Sequence, residues 1–280
     1  MRAPRASERN LLCGAGLMDW RSCVEGLRRY ISSKRMTRMF GSVKSTWNVG
    51  KGCTHLCAYC NVAHVLVPRL RGNPSTEKYR DGFAVRLFEG ELEKPSYKKR
   101  GPGLVFIWYM GDWLCSAVPD EWILRILDVV KSDPGNEFLS CTKNPLRYIE
   151  LADRYGWGIF PDNLWLGVTI ESNLPIADRF TRAPPVEERY KAMAEVAGHK
   201  EKIFLSIEPI MDFEPEGFLG WVEEMGVKVC EVGADNYRVV ELPEPPAWKA
   251  RKMLEGLTLT VPLVVQKKGL ERLLGGGKLD

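Results

Sequence analysis

The sequence predicts an α/β fold, a partial or full (β/α) barrel of six to seven parallel strands. Three observations predict it. From about residue 40 onward, short apolar runs alternate with longer helical stretches. Several of those runs are apolar almost throughout, as strands are when both faces of a sheet are covered. The chain of 280 residues is long enough for one such barrel.

The strand candidates are residues 42–49, 103–110, 137–142, 164–170, 202–207, 227–233 and 261–266. Helical candidates fall between them at 119–132, 144–155, 185–198, 215–226 and 246–256. In the first of these Trp122, Ile123, Ile126, Leu127 and Val130 share one face, and Pro119 and Asp120 suit a helix start. Such βα alternation implies parallel strands joined by right-handed crossovers. The charged, Pro- and Gly-punctuated stretch 68–100 reads as the first crossover, with a helix and a surface loop. The expected organisation is an N-terminal extension over 1–40, either disordered or a mis-assigned start, then a barrel over 41–270 and a tail over 271–280. Met18 and Met36 are the alternative starts.

Composition narrows the function classes. Hydrophobic residues make up 45% and charged residues 27%, ordinary for a soluble globular protein. A net charge of +4, from 40 basic and 36 acidic residues, is too mild to argue by itself for nucleic-acid binding. No apolar run approaches the ~18 residues of a membrane span. The N-terminus has arginines but too short an apolar stretch for a signal peptide. Eight cysteines, without a secretory signal, point to a reducing, cytoplasmic setting rather than to a disulfide framework.

Chemistry in α/β sheets collects at the carboxyl ends of the strands. Those ends carry Gly111 and Asp112, then Thr142, Lys143 and Asn144, then Thr169 and Glu171, then Glu208, then Glu231 and Asp235, and finally Gln266 and Lys267. One polar residue at a strand end is ordinary. A ring of them predicts a polar site, because a carboxylate leaving a sheet partly buried needs a partner or a ligand.

Cys53, Cys57 and Cys60 lie in "CTHLCAYC", directly after the first strand candidate and beside that ring. Two metal readings are open. With His64 they form a Cys3His set for a closed, structural zinc, although four ligands within 12 residues make a cramped site. Alternatively the three thiolates hold an iron–sulfur cluster. Three cysteines on a [4Fe-4S] cluster leave one iron open to a second molecule, as catalysis requires.

The C-x3-C-x-aromatic-C spacing, with Tyr59 at the aromatic position, resembles the signature of radical S-adenosylmethionine (radical SAM) enzymes. "YMGD" (109–112) looks like that family's Gly-Gly-Glu motif, with Met110 for the first Gly and Asp112 for Glu. The order of "WNVGKGCTHLCAYC", "YMGDWLCSAVPDEW", "CTKNP", "LWLGVTIES", "SIEPIMDF" and "EVGADN" is similar to an uncharacterised subfamily of phages and prokaryotes, in the style of the spore photoproduct lyase-like branch. This likeness covers roughly residues 43–270. It implies a [4Fe-4S] cluster on Cys53, Cys57 and Cys60, with S-adenosylmethionine on the open iron. The cofactor would be cleaved reductively and hydrogen abstracted from a substrate that the sequence does not name. An external one-electron reductant of the ferredoxin or flavodoxin type is implied as partner.

By the same resemblance, Tyr59 packs near the adenine, and Met110, Gly111 and Asp112 hold the methionine amino group. Thr169 and Glu171 contact the ribose or carboxylate, and Lys143 pairs with a carboxylate of the cofactor or of Glu171. Glu208, Glu231 and Asp235 are left for the substrate or the ribose. Cys115 and Cys141 read as inert, and His64 as a packing residue. A nucleic-acid repair or modification enzyme is a further alternative, resting on the basic clusters "RLRG" (69–72) and "KKRGPG" (98–103).

Overall fold

The computed structural model describes residues 19–33, 40–73 and 76–275. Its frame is a seven-stranded parallel sheet curled into a half-barrel. The strands are β1 (Ser45–Trp47), β4 (Leu104–Ile107), β5 (Glu137–Thr142), β6 (Leu164–Thr169), β7 (Ile203–Ile207), β8 (Val229–Val232) and β9 (Leu263–Gln266), hydrogen-bonded in that order. Among the described residues β9 does not pair with β1, so the barrel is partial and β1 is an open edge. No helix among the described residues is long and apolar enough to cross a membrane.

Strand parity divides the core into two layers. Outward residues such as Val105, Phe138, Leu166, Leu205 and Cys230 meet the apolar faces of α4 (Asp120–Lys131), α5 (Leu146–Tyr155), α6 (Val186–Ala197), α7 (Pro215–Glu224) and α8 (Ala247–Thr260). In α4 the face expected from the sequence is buried at Ile123, Ile126, Leu127 and Val130, with Trp122 packed beside them. Inward residues Leu104, Phe106, Leu139, Trp165, Phe204, Val229 and Leu263 form the second layer.

Helix α1 (Trp20–Ser32) lies within the stretch read as an extension, yet it buries Cys23, Val24 and Leu27 in that inner layer. Asp19 caps it by accepting the Ser22 N–H at 2.8 Å. A half-barrel has an inner face that its own crossover helices do not cover, and α1 supplies apolar side chains to it. The alternative starts at Met18 and Met36 lie outside the described residues.

The first strand is shorter than the apolar run 42–49 suggests. After Trp47 the Asn48 side chain accepts the Met110 N–H at 3.3 Å. The chain then turns into β2 (Gly50–Lys51), antiparallel to β3 (Arg86–Leu87). Lys51, fully buried, donates to Asp81 and to the Gly82 carbonyl at 2.6 Å, tying the crossover to this hairpin. That crossover also carries the short helices α2 (Val67–Arg71) and α3 (Glu89–Glu93).

Candidate functional site

A cavity of about 360 Å³ opens on the inner face at the carboxyl ends of the strands. All three motif cysteines line it, and none is in a disulfide. Tyr59, Gly111, Asp112, Lys143, Thr169 and Glu208 line it as well. Met110 does not: its side chain packs with Val62, Val67 and Tyr79, and its carbonyl accepts the Gly52 N–H at 2.9 Å.

The cysteine loop follows β2 because two glycines let its backbone lie against the end of β4. Gly52 and Gly111 form a bridge, and the Asp112 N–H donates to the Gly52 carbonyl at 3.2 Å. A Cβ at Gly111 would stand 2.1 Å from the Gly52 oxygen. Gly52 itself has φ +87°, where glycine is favoured. On its far side the loop is held by the segment after β6. Ala58 donates to the Phe180 carbonyl at 2.8 Å, and the Arg182 N–H and the Thr181 hydroxyl both donate to the His55 carbonyl, at 2.6 and 3.1 Å. The Thr181 hydroxyl also lies 3.2 Å from the Cys57 sulfur. These contacts bridge more than a hundred residues of sequence, so no local signal could have indicated them.

Asp112 is the organiser of this end of the sheet. Its buried carboxylate accepts from the Thr142 hydroxyl at 2.9 Å, from the backbone N–H groups of Leu114 and Lys143 at 3.0 and 2.9 Å, and pairs with His55 Nε2 at 2.9 Å. Burial alone would raise its pKa, but His55 and the donors around it hold it below the ordinary carboxylate range. The acidic end of "YMGD" thereby joins the cysteine loop to β5, a role not apparent in its sequence position. His55, the third residue of the motif, is the other half of this bond.

Glu171 lies beneath the cavity wall and is fully buried. It accepts from the Tyr59 hydroxyl at 2.7 Å, from Lys143 and from Arg189 Nη1 at 2.8 Å. Burial would push its pKa up, but Arg189 and Lys143 beside it bring it down to about 2. Lys143 therefore takes the second of its two expected partners. The ammonium also stands 5.3 Å from the Tyr59 ring centroid. Arg189, wholly buried on α6, was not among the sequence candidates; it supplies the charge that lets a carboxylate stay ionised there.

The remaining ring residues divide. Glu208 faces the cavity, paired with Lys267. Asp235 also lines it, but Oδ1 already accepts the Tyr237 and Arg238 N–H groups at 3.0 Å. Glu231 is enclosed: it accepts from the Gly41 and Ser42 N–H groups at 2.7 and 3.0 Å, and burial pushes its pKa up. Cys141 lines the cavity 3.4 Å from the Thr169 hydroxyl, its thiol raised to about 12 by burial. Cys115 stands beside Cys53 and, ahead of burial, is the largest cause of the upward shift of the Cys53 thiol.

His64 is exposed and lies off the cavity wall, so it does not complete a Cys3His set and is not a packed core residue either. Among the described residues no group of three or more His, Cys, Asp or Glu is disposed to hold a metal ion. The three motif thiols line one cavity that leaves space beside them for a second molecule, and thiolates are the ligands that an iron–sulfur cluster takes.

A curled, open parallel sheet with its cavity at the strand carboxyl ends is the radical SAM-like fold. The chain superimposes on a spore photoproduct lyase variant with a TM-score of 0.56 at 12% identity, over 90% of this chain and 87% of that one. A spore photoproduct lyase variant with bound AdoMet and dinucleoside spore photoproduct gives 0.51 at 12% identity, covering 90% and 73%. SuiB of Streptococcus suis, bound to its precursor peptide SuiA, gives 0.56 at 10% identity, covering 94% and 58%. No match was found among curated protein sequences. Residues 40–216 match the family described as "Protein of unknown function (DUF5131)", and the chain belongs to that family.

Proposed function

We propose that the protein is a radical SAM enzyme in which Cys53, Cys57 and Cys60 hold a [4Fe-4S] cluster. The observation that carries this reading is the placement of the three motif thiols on the wall of the cavity of a radical SAM-like half-barrel. When bound, such a cluster supplies the electron that cleaves S-adenosylmethionine, so that hydrogen can be taken from a substrate; an external ferredoxin- or flavodoxin-type reductant delivers that electron. The chain's own residues bind and position. Gly52 and Gly111 bring the loop against the sheet, Asp112 and His55 fix it there, and Thr181 fixes its far side. The Tyr59–Glu171–Lys143–Arg189 network holds the Tyr59 ring at the cavity wall. Gly111 and Thr169 remain on that wall for the cofactor, and Glu208 with Lys267 faces the space left for a substrate.

The test is anaerobic reconstitution with iron and sulfide. The expected result is brown protein absorbing near ~400 nm that releases 5′-deoxyadenosine from S-adenosylmethionine on reduction. Cys57→Ala should lose both properties. Colourless protein holding stoichiometric zinc, or wild-type cleavage by Cys57→Ala, would overturn the reading.

A further inference from the structure

A second, larger hollow of about 700 Å³ lies at the open edge of β1, and the cysteine chemistry does not use it. Lys44, Lys78, Lys99 and Arg100 line it, against the single carboxylate of Glu91. These cations come from three separate stretches of chain: the lead into β1, the first crossover, and the "KKRGPG" cluster that opens as a 3-10 turn over Ser96–Arg100. Lys78, Lys99 and Arg100 are exposed, and among the described residues no carboxylate pairs with them, though Lys78 stands 5.1 Å from the Phe88 ring centroid. Four small neutral residues, Ser45, Thr46, Asn48 and Ser96, line the same hollow. Ser45 is 8% exposed, and its hydroxyl has no hydrogen-bond partner. A buried donor without a partner is costly.

We propose that this hollow binds the phosphodiester backbone of a nucleic acid. The chemistry is that of phosphate contact: lysine, arginine, hydroxyl and amide donors together, with four cations against one carboxylate. Among the described residues the only aromatic side chain lining it is Tyr97, which is buried and donates to Asp133 at 3.0 Å, so it is not free to stack on a base. Binding through this hollow is therefore independent of base sequence. It spans several cations rather than one, which suits a repeating chain of phosphates over a single ion. The strand that borders it continues, six residues after Trp47, into Cys53, so a backbone held here runs beside the half-barrel's open edge.

The experiment is fluorescence anisotropy of a labelled 20-mer duplex DNA with the full chain, from 50 to 200 mM salt. It does not depend on the proposed cluster chemistry, so the two readings fail separately. The variant is Lys99→Ala/Arg100→Ala, at exposed positions whose loss leaves the core intact. Each lost phosphate contact flattens the log–log salt slope by about 0.9, so over that fourfold salt range the variant's affinity should fall about twelvefold less than the wild type's. Weaker binding of the variant at 50 mM, with Arg69→Ala/Arg71→Ala unchanged, supports the proposal. It is overturned if Lys99→Ala/Arg100→Ala binds as wild type, or if the "RLRG" variant alone loses binding. Displacement of the DNA by polyglutamate at equal charge, or binding of inorganic phosphate without any of the DNA, would also overturn it.

Discussion

The buried carboxylate of Glu171 offers the sharpest test of how the site is built. Its pKa falls from 4.5 to about 2, against the opposing effect of full burial, because Arg189 and Lys143 stand beside it. At about 1.4 kcal/mol per tenfold change, that fall corresponds to about 3 kcal/mol of stability. The folded pKa lies below the unfolded one, so this stability is present above about pH 4.5 and is lost as the pH falls towards 2. About 1 kcal/mol of it is gone by pH 3.5. Glu171→Gln removes the charge and leaves Arg189 buried without its counter-ion. The variant should therefore unfold in urea with about 3 kcal/mol less stability than wild type at pH 7, and the gap should narrow to about 2 kcal/mol at pH 3.5. A gap below about 1 kcal/mol at pH 7, or one that does not change with pH, would refute the argument that ion pairing outweighs burial here.

Two further perturbations probe the supports of the site. Gly111→Ala puts a methyl 2.1 Å from the Gly52 carbonyl oxygen, backbone against backbone, and should yield misfolded protein or cost at least about 3 kcal/mol, read by urea unfolding. Leu27→Ala removes a side chain that α1 buries against the inner face of the sheet, and should cost about 2–5 kcal/mol; a loss under about 0.5 kcal/mol would mean that α1 is not part of the cooperative fold.

The barrel was legible because its strands are covered on both faces. Phe138, Leu139, Leu164, Leu166, Phe204 and Leu205 read as apolar runs whichever way each side chain points. Helix α1 was not legible as part of the core. The face that its apolar residues cover is formed by seven strands drawn from the whole chain. The site was legible as a set of residue types at strand ends, but not as pairings. Tyr59, Lys143 and Glu171 were each expected to meet a cofactor, yet Tyr59 and Lys143 both bond to Glu171, which also takes Arg189 from an unremarkable amphipathic helix.

By itself, then, the sequence determined that three thiols would follow the first strand of a parallel α/β sheet, since spacing and strand periodicity are local properties. Only the tertiary structure decided which neighbours those thiols would have. His55 meets Asp112 across 57 residues, Cys57 meets Thr181 across 124, and Tyr59 meets Glu171 across 112. Sheet register brings such pairs together, and burial makes their bonds obligatory, because a polar group shut away from water must find a partner wherever the fold provides one.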